Sequence, residues 1–236
     1  MQTTPLKRVS TAQAVAQYVL EQIRQGELGP GDPLPGERQL QQELGVGRLA
    51  LREGLAHLRA LGVIHVSHGK GAYVEKSVNG TALRNVLSPL FPERDAKALR
   101  DLMDARGLIE GELASLAAQS CRIEQAQRLR ALLDISGEAI DDDEALVEWD
   151  FEFHRAIAEI AGNRFLTVML QALREQTRSY LLHLARSVAD HREIVERHRA
   201  IVEAIIAGSP DKARAAMLKH IIRGQSNAEA FVRKRA

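Results

Sequence analysis

An aspartate and three histidines fall on the apolar faces of three separate helical stretches. In the stretch 143–161, Leu146, Phe153, Ile157 and Ala161 repeat at helical spacing, and Asp150 and His154 lie on the same face. In 190–207 the stripe Ile194, Val195, Ile201, Val202 and Ile205 has His198 in its middle, and in 210–233 the stripe Ala213, Met217, Ile221 and Gly224 includes His220. A carboxylate or imidazole turned toward a core needs a partner. Taken singly, each of these residues is most simply a hydrogen-bonded core side chain. Taken together, they offer one oxygen and three nitrogen donors. Asp150 and His154, four residues apart, stack on one helix face as a shared metal ion requires. Imidazoles with a carboxylate suit Zn²⁺, Ni²⁺, Mn²⁺ or Fe²⁺, with Zn²⁺ favoured, so one divalent metal per chain is expected. His183 and His191 match no such pattern and read as surface residues.

Arg106 breaks another stripe. The stretch 97–119 buries Leu99, Leu102, Met103, Ile109, Leu113, Leu116 and Ala117, and Arg106 lies among them. A charge there is costly unless paired. Three arrangements satisfy it: an ion pair with Glu110 or Glu112, a guanidinium snorkelling to water, or a fork that holds the carboxylate of a bound ligand.

A different chemistry gathers near the N-terminus. Gly45-Val46-Gly47 separates a short helical stretch, Glu37 to Leu44, from a longer one, Arg48 to Leu61. Leu51, Leu55 and Leu58 mark the buried face of the second stretch, which leaves Arg48 and Arg52 together on an outer face at its beginning. A recognition helix presents its first turns to the major groove, and arginine suits the paired acceptors of guanine. Leu49 and Ala50 beside them could pack on thymine methyls. Arg38, in the preceding stretch, could hold a phosphate. Any one of these charges alone reads as an ordinary solvated residue; their order is what favours DNA.

The elements that must position these residues follow from the punctuation. A first helix spans roughly 10–25 and ends at the Pro/Gly-rich run Gly26 to Gly36. After the second arginine-bearing helix, Gly62 is a stop. Val63–Ser67 and Ala72–Glu75 read as short strands around His68-Gly69-Lys70-Gly71, a turn with two glycines free to take positive φ. Helix, helix, turn, helix and hairpin is the order of a winged helix-turn-helix, with His68, Gly69 and Lys70 at the wing tip able to touch phosphates or the minor groove. Residues 77–96 read as a linker that could hold one short helix. Beyond it, helices are expected over 97–119, 122–139, 143–161, 164–187, 190–207 and 210–233. Joined by short loops, they predict an antiparallel bundle of six or seven helices. The fold is therefore mainly α, with domains at 1–76 and 97–236.

Composition is compatible with this and excludes little else. Net charge is +1 over 236 residues, split +2 for the first 76 and −1 for the rest, so charge position carries the DNA reading. Aromatic residues at 4% argue against a stacking platform for single strands. The one cysteine, Cys121, excludes a disulfide framework. No apolar run reaches the length of a membrane span, and Met1 to Ser10 has no apolar core of a signal peptide, so a cytoplasmic protein is expected. An Asp/His metal set could also belong to a hydrolase or oxygenase. No separate residue is placed as a general base, however, and a DNA-reading domain would be superfluous to an enzyme. A DNA-binding protein with a purely structural metal stays open beside the sensor.

Two resemblances sharpen these expectations. Leu34-Pro35-Gly36-Glu37-Arg38-Gln39-Leu40, Leu44-Gly45-Val46-Gly47-Arg48, Leu51-Arg52-Glu53-Gly54-Leu55 and Gly69-Lys70-Gly71-Ala72-Tyr73-Val74 resemble the GntR family of bacterial regulators. That resemblance implies DNA contacts from Arg38, Arg48, Arg52 and the wing at His68-Gly69, and a homodimer on a short inverted-repeat operator. Where the family usually has Ser or Thr, this chain has Gly36 and Gly47, which cap a helix without a side-chain bond. Asp150 to Ile157, Asn163, His198-Arg199-Ala200-Ile201 and His220-Ile221 resemble the metal-binding version of the FCD domain in the FadR-type branch. This implies Asp150, His154, His198 and His220 around one divalent metal, and an effector site that includes Arg106 and Asn163. The implied effector is a small organic acid, held between Arg106 and the metal.

Overall fold

In the computed structural model the described residues are 10–76, 80–87, 95–139, 142–187 and 192–225. They form two compact units, divided between Ala82 and Leu83 within the stretch expected to be linker. Ser77 to Asn79 and residues 88–94 of that stretch lie outside the described residues.

The first unit begins with α1 (Thr11–Gln25). Ser10 and Gln13 form a capping box: Gln13 N donates to Ser10 Oγ at 3.1 Å, and Ser10 N to Gln13 Oε1 at 3.0 Å. Next come α2 (Glu37–Leu44) and α3 (Arg48–Ala60), joined through Gly45, whose φ of +63° ends α2 in the left-handed conformation. Gly36 and Gly47 cap α2 and α3 with no side-chain bond, as their lack of a hydroxyl requires. Gly54 lets α3 cross α1 closely. A Cβ there would lie 2.7 Å from the Ala12 carbonyl oxygen and 2.8 Å from Val15 Cβ. β1 (Ile64–Ser67) and β2 (Gly71–Val74) pair antiparallel, with Ile64 opposite Val74 and Ser67 opposite Gly71. The Gly31–Leu34 segment bonds the other edge of β2, through Leu34 N to Ala72 O at 2.8 Å and Val74 N to Asp32 O at 2.9 Å. The wing is thus tied back to the helices on a core of Val15, Val19, Leu40, Leu51, Leu58 and Ile64.

The second unit is helical: α4 (Thr81–Leu87, which straddles the division), α5 (Ala96–Ser120), α6 (Ile123–Ala139), α7 (Asp143–Ala161), α8 (Arg164–Ser187), α9 (Arg192–Ile206) and α10 (Pro210–Gln225). The expected extension of the last helix to 233, the start of its predecessor at 190, and His191 lie outside the described residues. α5 is the central element and packs against α7, α8, α9 and α10. Gly107 and Gly111 admit α10 closely: a Cβ on Gly107 would meet Leu218 at 3.3 Å, and one on Gly111 would meet Arg214 and Leu218 at 3.4 Å. Leu102, Met103, Leu146, Phe153, Ile157, Ile201, Ile205 and Met217 fill the core between the helices. Burying such side chains contributes about 1.5–3 kcal/mol each and sets the axial register of the polar residues among them.

Candidate metal centre and nucleic-acid interface

The core of the second unit contains a polar island. Asp150, His154, His198 and His220 each present one donor atom, and these atoms all lie within 4.8 Å of one another. The separations centre on a single oxygen. Asp150 Oδ1 is 3.0 Å from His198 Nε2, 3.6 Å from His154 Nε2 and 4.0 Å from His220 Nε2. Ligands held about 2.0–2.1 Å from one tetrahedral ion sit roughly 3.3 Å apart, so this spacing is that of a coordination shell. Trp149 and Phe153 wall the island, each with its ring centroid 4.6 Å from that of His198. The Trp149 indole is anchored by donating to Leu132 O at 2.8 Å.

The hydrogen bonding around His198 shows why the four fit a cation. Its Nδ1 lies 2.8 Å from the Ile194 carbonyl, which can only accept, so Nδ1 carries a proton. Its Nε2 lies 3.0 Å from Asp150 Oδ1, in a residue 0% exposed, so a proton or a cation must be shared between that nitrogen and that oxygen. Asp150 Oδ2, His154 Nε2 and His220 Nδ1 are also buried without a hydrogen-bond partner among the described residues, an arrangement that is costly for a purely structural core.

Electrostatics agree. Burial alone would raise the Asp150 carboxyl, but His154 and His198 outweigh it and hold Asp150 well below the usual carboxylate range. Burial pushes His220 well below its ordinary value, with His198 and His154 adding to the effect, so this ring is a neutral donor. Burial would also lower His154, yet the carboxylates of Glu110 and Asp150 raise it to about 9.

Glu110 is the member of the site that sequence reasoning left without a role in the cluster. The sequence offered it only as one of two possible partners of Arg106. Arg106 Nε donates to Glu110 Oε1 at 2.6 Å, whereas Glu112 pairs with Arg214 at 2.6 Å. The second oxygen, Oε2, contacts His154 Nδ1. Burial would raise the Glu110 carboxyl; Arg106 and His154 overcome this and hold it at about 2. Its signal was present in the sequence as an opposite charge four residues along the same buried stripe. The snorkelling alternative for Arg106 is overturned, because the side chain is 2% exposed and its charge is met inside. Its Nη1 has no hydrogen-bond partner among the described residues. Asn163 sits in the α7–α8 turn, where its Oδ1 accepts from Phe165 N and Leu166 N, both at 3.2 Å, and caps α8.

In the first unit, Arg48, Leu49 and Arg52 are exposed on the opening turns of α3, Leu49 at 74%, while Ala50 is half-buried. Arg38 is exposed on α2, and His68, Gly69 and Lys70 form the exposed tip between β1 and β2. Arg52 has only a loose, solvent-facing pairing with Glu37 at 3.9 Å, which leaves its fork available.

A three-helix reader with a hairpin wing, carried on the same chain as a helical domain with a buried polar centre, defines a DNA-binding regulator of the winged helix-turn-helix class. Residues 11–74 match the bacterial regulatory proteins of the gntR family, and residues 101–223 match the FCD domain. The chain is 31% identical over 226 residues to the HTH-type transcriptional repressor NanR of Cronobacter sakazakii, spanning 92% of this chain and 85% of that protein. It is 31% identical over 239 residues to NanR of Salmonella arizonae, spanning 98% and 89%. Streptococcus agalactiae GntR superposes with a TM-score of 0.69 at 27% identity, over 91% of this chain and 99% of that one. Escherichia coli McbR/YncC shares the fold, with a TM-score of 0.54 at 21% identity over 97% and 100%. The chain belongs to the GntR family and carries its FCD domain. It is a transcriptional regulator that binds operator DNA, and like these relatives it is not an enzyme. Among the described residues no helix is long and apolar enough to cross a membrane.

Proposed function

We propose that this regulator binds a short inverted-repeat operator as a homodimer and releases or tightens its grip when a small organic acid enters the helical domain. Arg48 and Arg52 read bases, with Leu49 and Ala50 against thymine methyls. Arg38, His68, Gly69 and Lys70 hold the backbone or the minor groove. The name of the NanR relatives, transcriptional repressor, supports repression as the direction, and the operator-binding role supports a cytoplasmic location. Asp150, His154, His198 and His220 hold one divalent cation, with zinc favoured by three imidazoles and one carboxylate. The convergence of one carboxylate oxygen and three imidazole nitrogens within 4.8 Å of one another is the observation that carries this reading. When bound, the cation supplies a Lewis-acid anchor for an acidic ligand. Arg106 turns its Nε edge to Glu110 and leaves Nη1 for the carboxylate of that ligand. Asn163, whose oxygen caps α8, has its NH₂ as the group to offer the ligand.

The test combines metal analysis with a ligand screen. Purified protein, stripped and reloaded with Zn²⁺, Ni²⁺ or Mn²⁺, is expected to retain one ion per chain, and His198→Ala is expected to lose it. Hydroxy, keto and sugar acids are then screened by thermal shift on the loaded protein. Binding only to the folded state stabilises by about 2.7 kcal/mol at a hundredfold excess over Kd. An acid that stabilises wild type and Arg106→Ala equally refutes the clamp. A wild type that stays metal-free refutes the centre.

A further inference from the structure

We infer that Glu110 is a positioning residue that sets which nitrogen of His154 faces the cation site and which edge of Arg106 is left for an anion. The inference rests on the proposed metal centre. It starts from the division of one buried carboxylate, 1% exposed, between two neighbours: Arg106 Nε donates to Oε1, and His154 Nδ1 is in ion-pair contact with Oε2, though outside regular hydrogen-bond geometry. An ionised carboxylate can only accept, so both neighbours must turn a hydrogen toward it. That places the His154 proton on Nδ1 and directs Nε2 at Asp150 Oδ1, 3.6 Å away, as a metal ligand requires. The same contact occupies the Nε side of Arg106, so only the Nη side remains for a ligand. Glu110 thus joins the cation site to the anion site without belonging to either.

Of the three imidazoles, His198 has a hydrogen-bonded Nδ1 and His154 an Nδ1 in contact with the Glu110 carboxylate. His198 has the Ile194 carbonyl at 2.8 Å, a backbone atom that substitution cannot remove. His220 Nδ1 has no hydrogen-bond partner among the described residues. Among the described residues His154 is therefore the imidazole whose Nδ1 faces a replaceable side chain, and outer partners of this kind commonly govern metal affinity about 10–100-fold.

Glu110→Gln is the informative variant because it keeps the shape and removes the second acceptor. An amide offers one oxygen and one NH₂. If its oxygen stays on Arg106, its NH₂ faces His154 Nδ1 and favours the proton on Nε2, the nitrogen needed for the cation. The expected result is Zn²⁺ affinity about 10–100-fold below wild type by calorimetry, with a smaller rise in melting temperature on zinc loading than wild type shows, on top of a lower metal-free value from the lost ion pair with Arg106. In a His154→Gln background, adding Glu110→Gln should change zinc affinity little further, because its effect passes through His154. Nitrogen-15 spectra of histidine-labelled, zinc-loaded wild type should show His154 with its proton on Nδ1. That measurement stands even if the variant fails to fold. A wild type that binds zinc through His154 Nδ1, or a folded Glu110→Gln that binds zinc as tightly as wild type, overturns the inference while the metal centre stands. A wild type that binds no zinc overturns the centre itself.

Discussion

Gly54→Ala sets two effects of opposite sign against each other at the helix crossing that holds α3. Alanine is favoured over glycine inside a helix by about 1 kcal/mol, so α3 alone would gain. The added Cβ, however, meets the Ala12 carbonyl oxygen at 2.7 Å and Val15 Cβ at 2.8 Å. Neither is the tip of a flexible chain. One is backbone and the other is the branch point of a β-branched residue, so α1 and α3 must separate by several tenths of an ångström. Overpacking of this kind costs about 1–3 kcal/mol, and rigid neighbours place it at the upper end. The net expectation is a loss of about 2 kcal/mol. For a domain the size of the N-terminal unit that lowers the melting temperature by roughly 8–16 °C. Differential scanning calorimetry on the full chain reads it as a downward shift of the N-terminal transition, with the transition of the helical unit unmoved. Operator affinity should fall as well, since α3 carries Arg48 and Arg52 and α1 is the surface it is set against. Gly111→Ala on α5 is the control. Its Cβ would meet Arg214 and Leu218 side chains at 3.4 Å, ordinary contact, so the propensity gain should survive and stability should hold or rise by up to about 1 kcal/mol. A Gly54→Ala protein as stable as wild type would refute the packing argument.

Arg48→Ala and Arg52→Ala should each weaken specific operator binding by about 1–3 kcal/mol in a titration against operator and scrambled DNA; unchanged affinity in both rules out base reading by α3. Lys70→Ala should weaken both DNAs alike and reduce the slope of affinity against salt by about one ion, read from the same titration at several salt concentrations. Cation uptake should expel a proton from His154. Its value in the metal-free protein is about 9, above neutrality, whereas Asp150 and His220 are already deprotonated donors. Zinc affinity should therefore rise with pH up to roughly 9, with calorimetric heat that depends on the ionisation enthalpy of the buffer; buffer-independent heat at pH 7 refutes this. Arg106→Ala leaves the Glu110 carboxylate buried and without its arginine, a change that costs about 3–5 kcal/mol. Its melting temperature should thus fall even without metal or ligand, and an unchanged value would mean that the Arg106–Glu110 pair is not buried in solution.

What could be seen in the sequence and what could not divides along a physical line. Periodicity and punctuation report on a residue and its own helix. Hence α2 at Glu37–Leu44, α7 at Asp143–Ala161 and α8 at Arg164–Ser187 match their expected spans, because Gly45, Gly162 and the Asp142 and Asn163 caps are local signals. That Asp150 and His154 share a face is likewise local. The meeting of α7, α9 and α10 around one oxygen is not. It depends on how Gly107 and Gly111 let α10 settle against α5, and neither glycine sits near a ligand in sequence. Glu110 shows the limit most plainly. Its pairing with Arg106 is an i, i+4 relation that sequence can propose, but its contact with His154 crosses from α5 to α7 and exists only after packing. Asn163 carries a local claim of its own. Its place directly after Gly162 makes its oxygen the cap of α8, accepting from two backbone amides, and leaves its NH₂ for the ligand contact that its position in a motif suggests. A buried polar residue is therefore best interpreted by asking which donors and acceptors remain after local claims are met. For Asn163 the oxygen is already taken. For Arg106 one nitrogen remains, and for His198 and Asp150 a proton or a cation must be shared between two buried atoms 3.0 Å apart, which is why the functional reading rests first on those three.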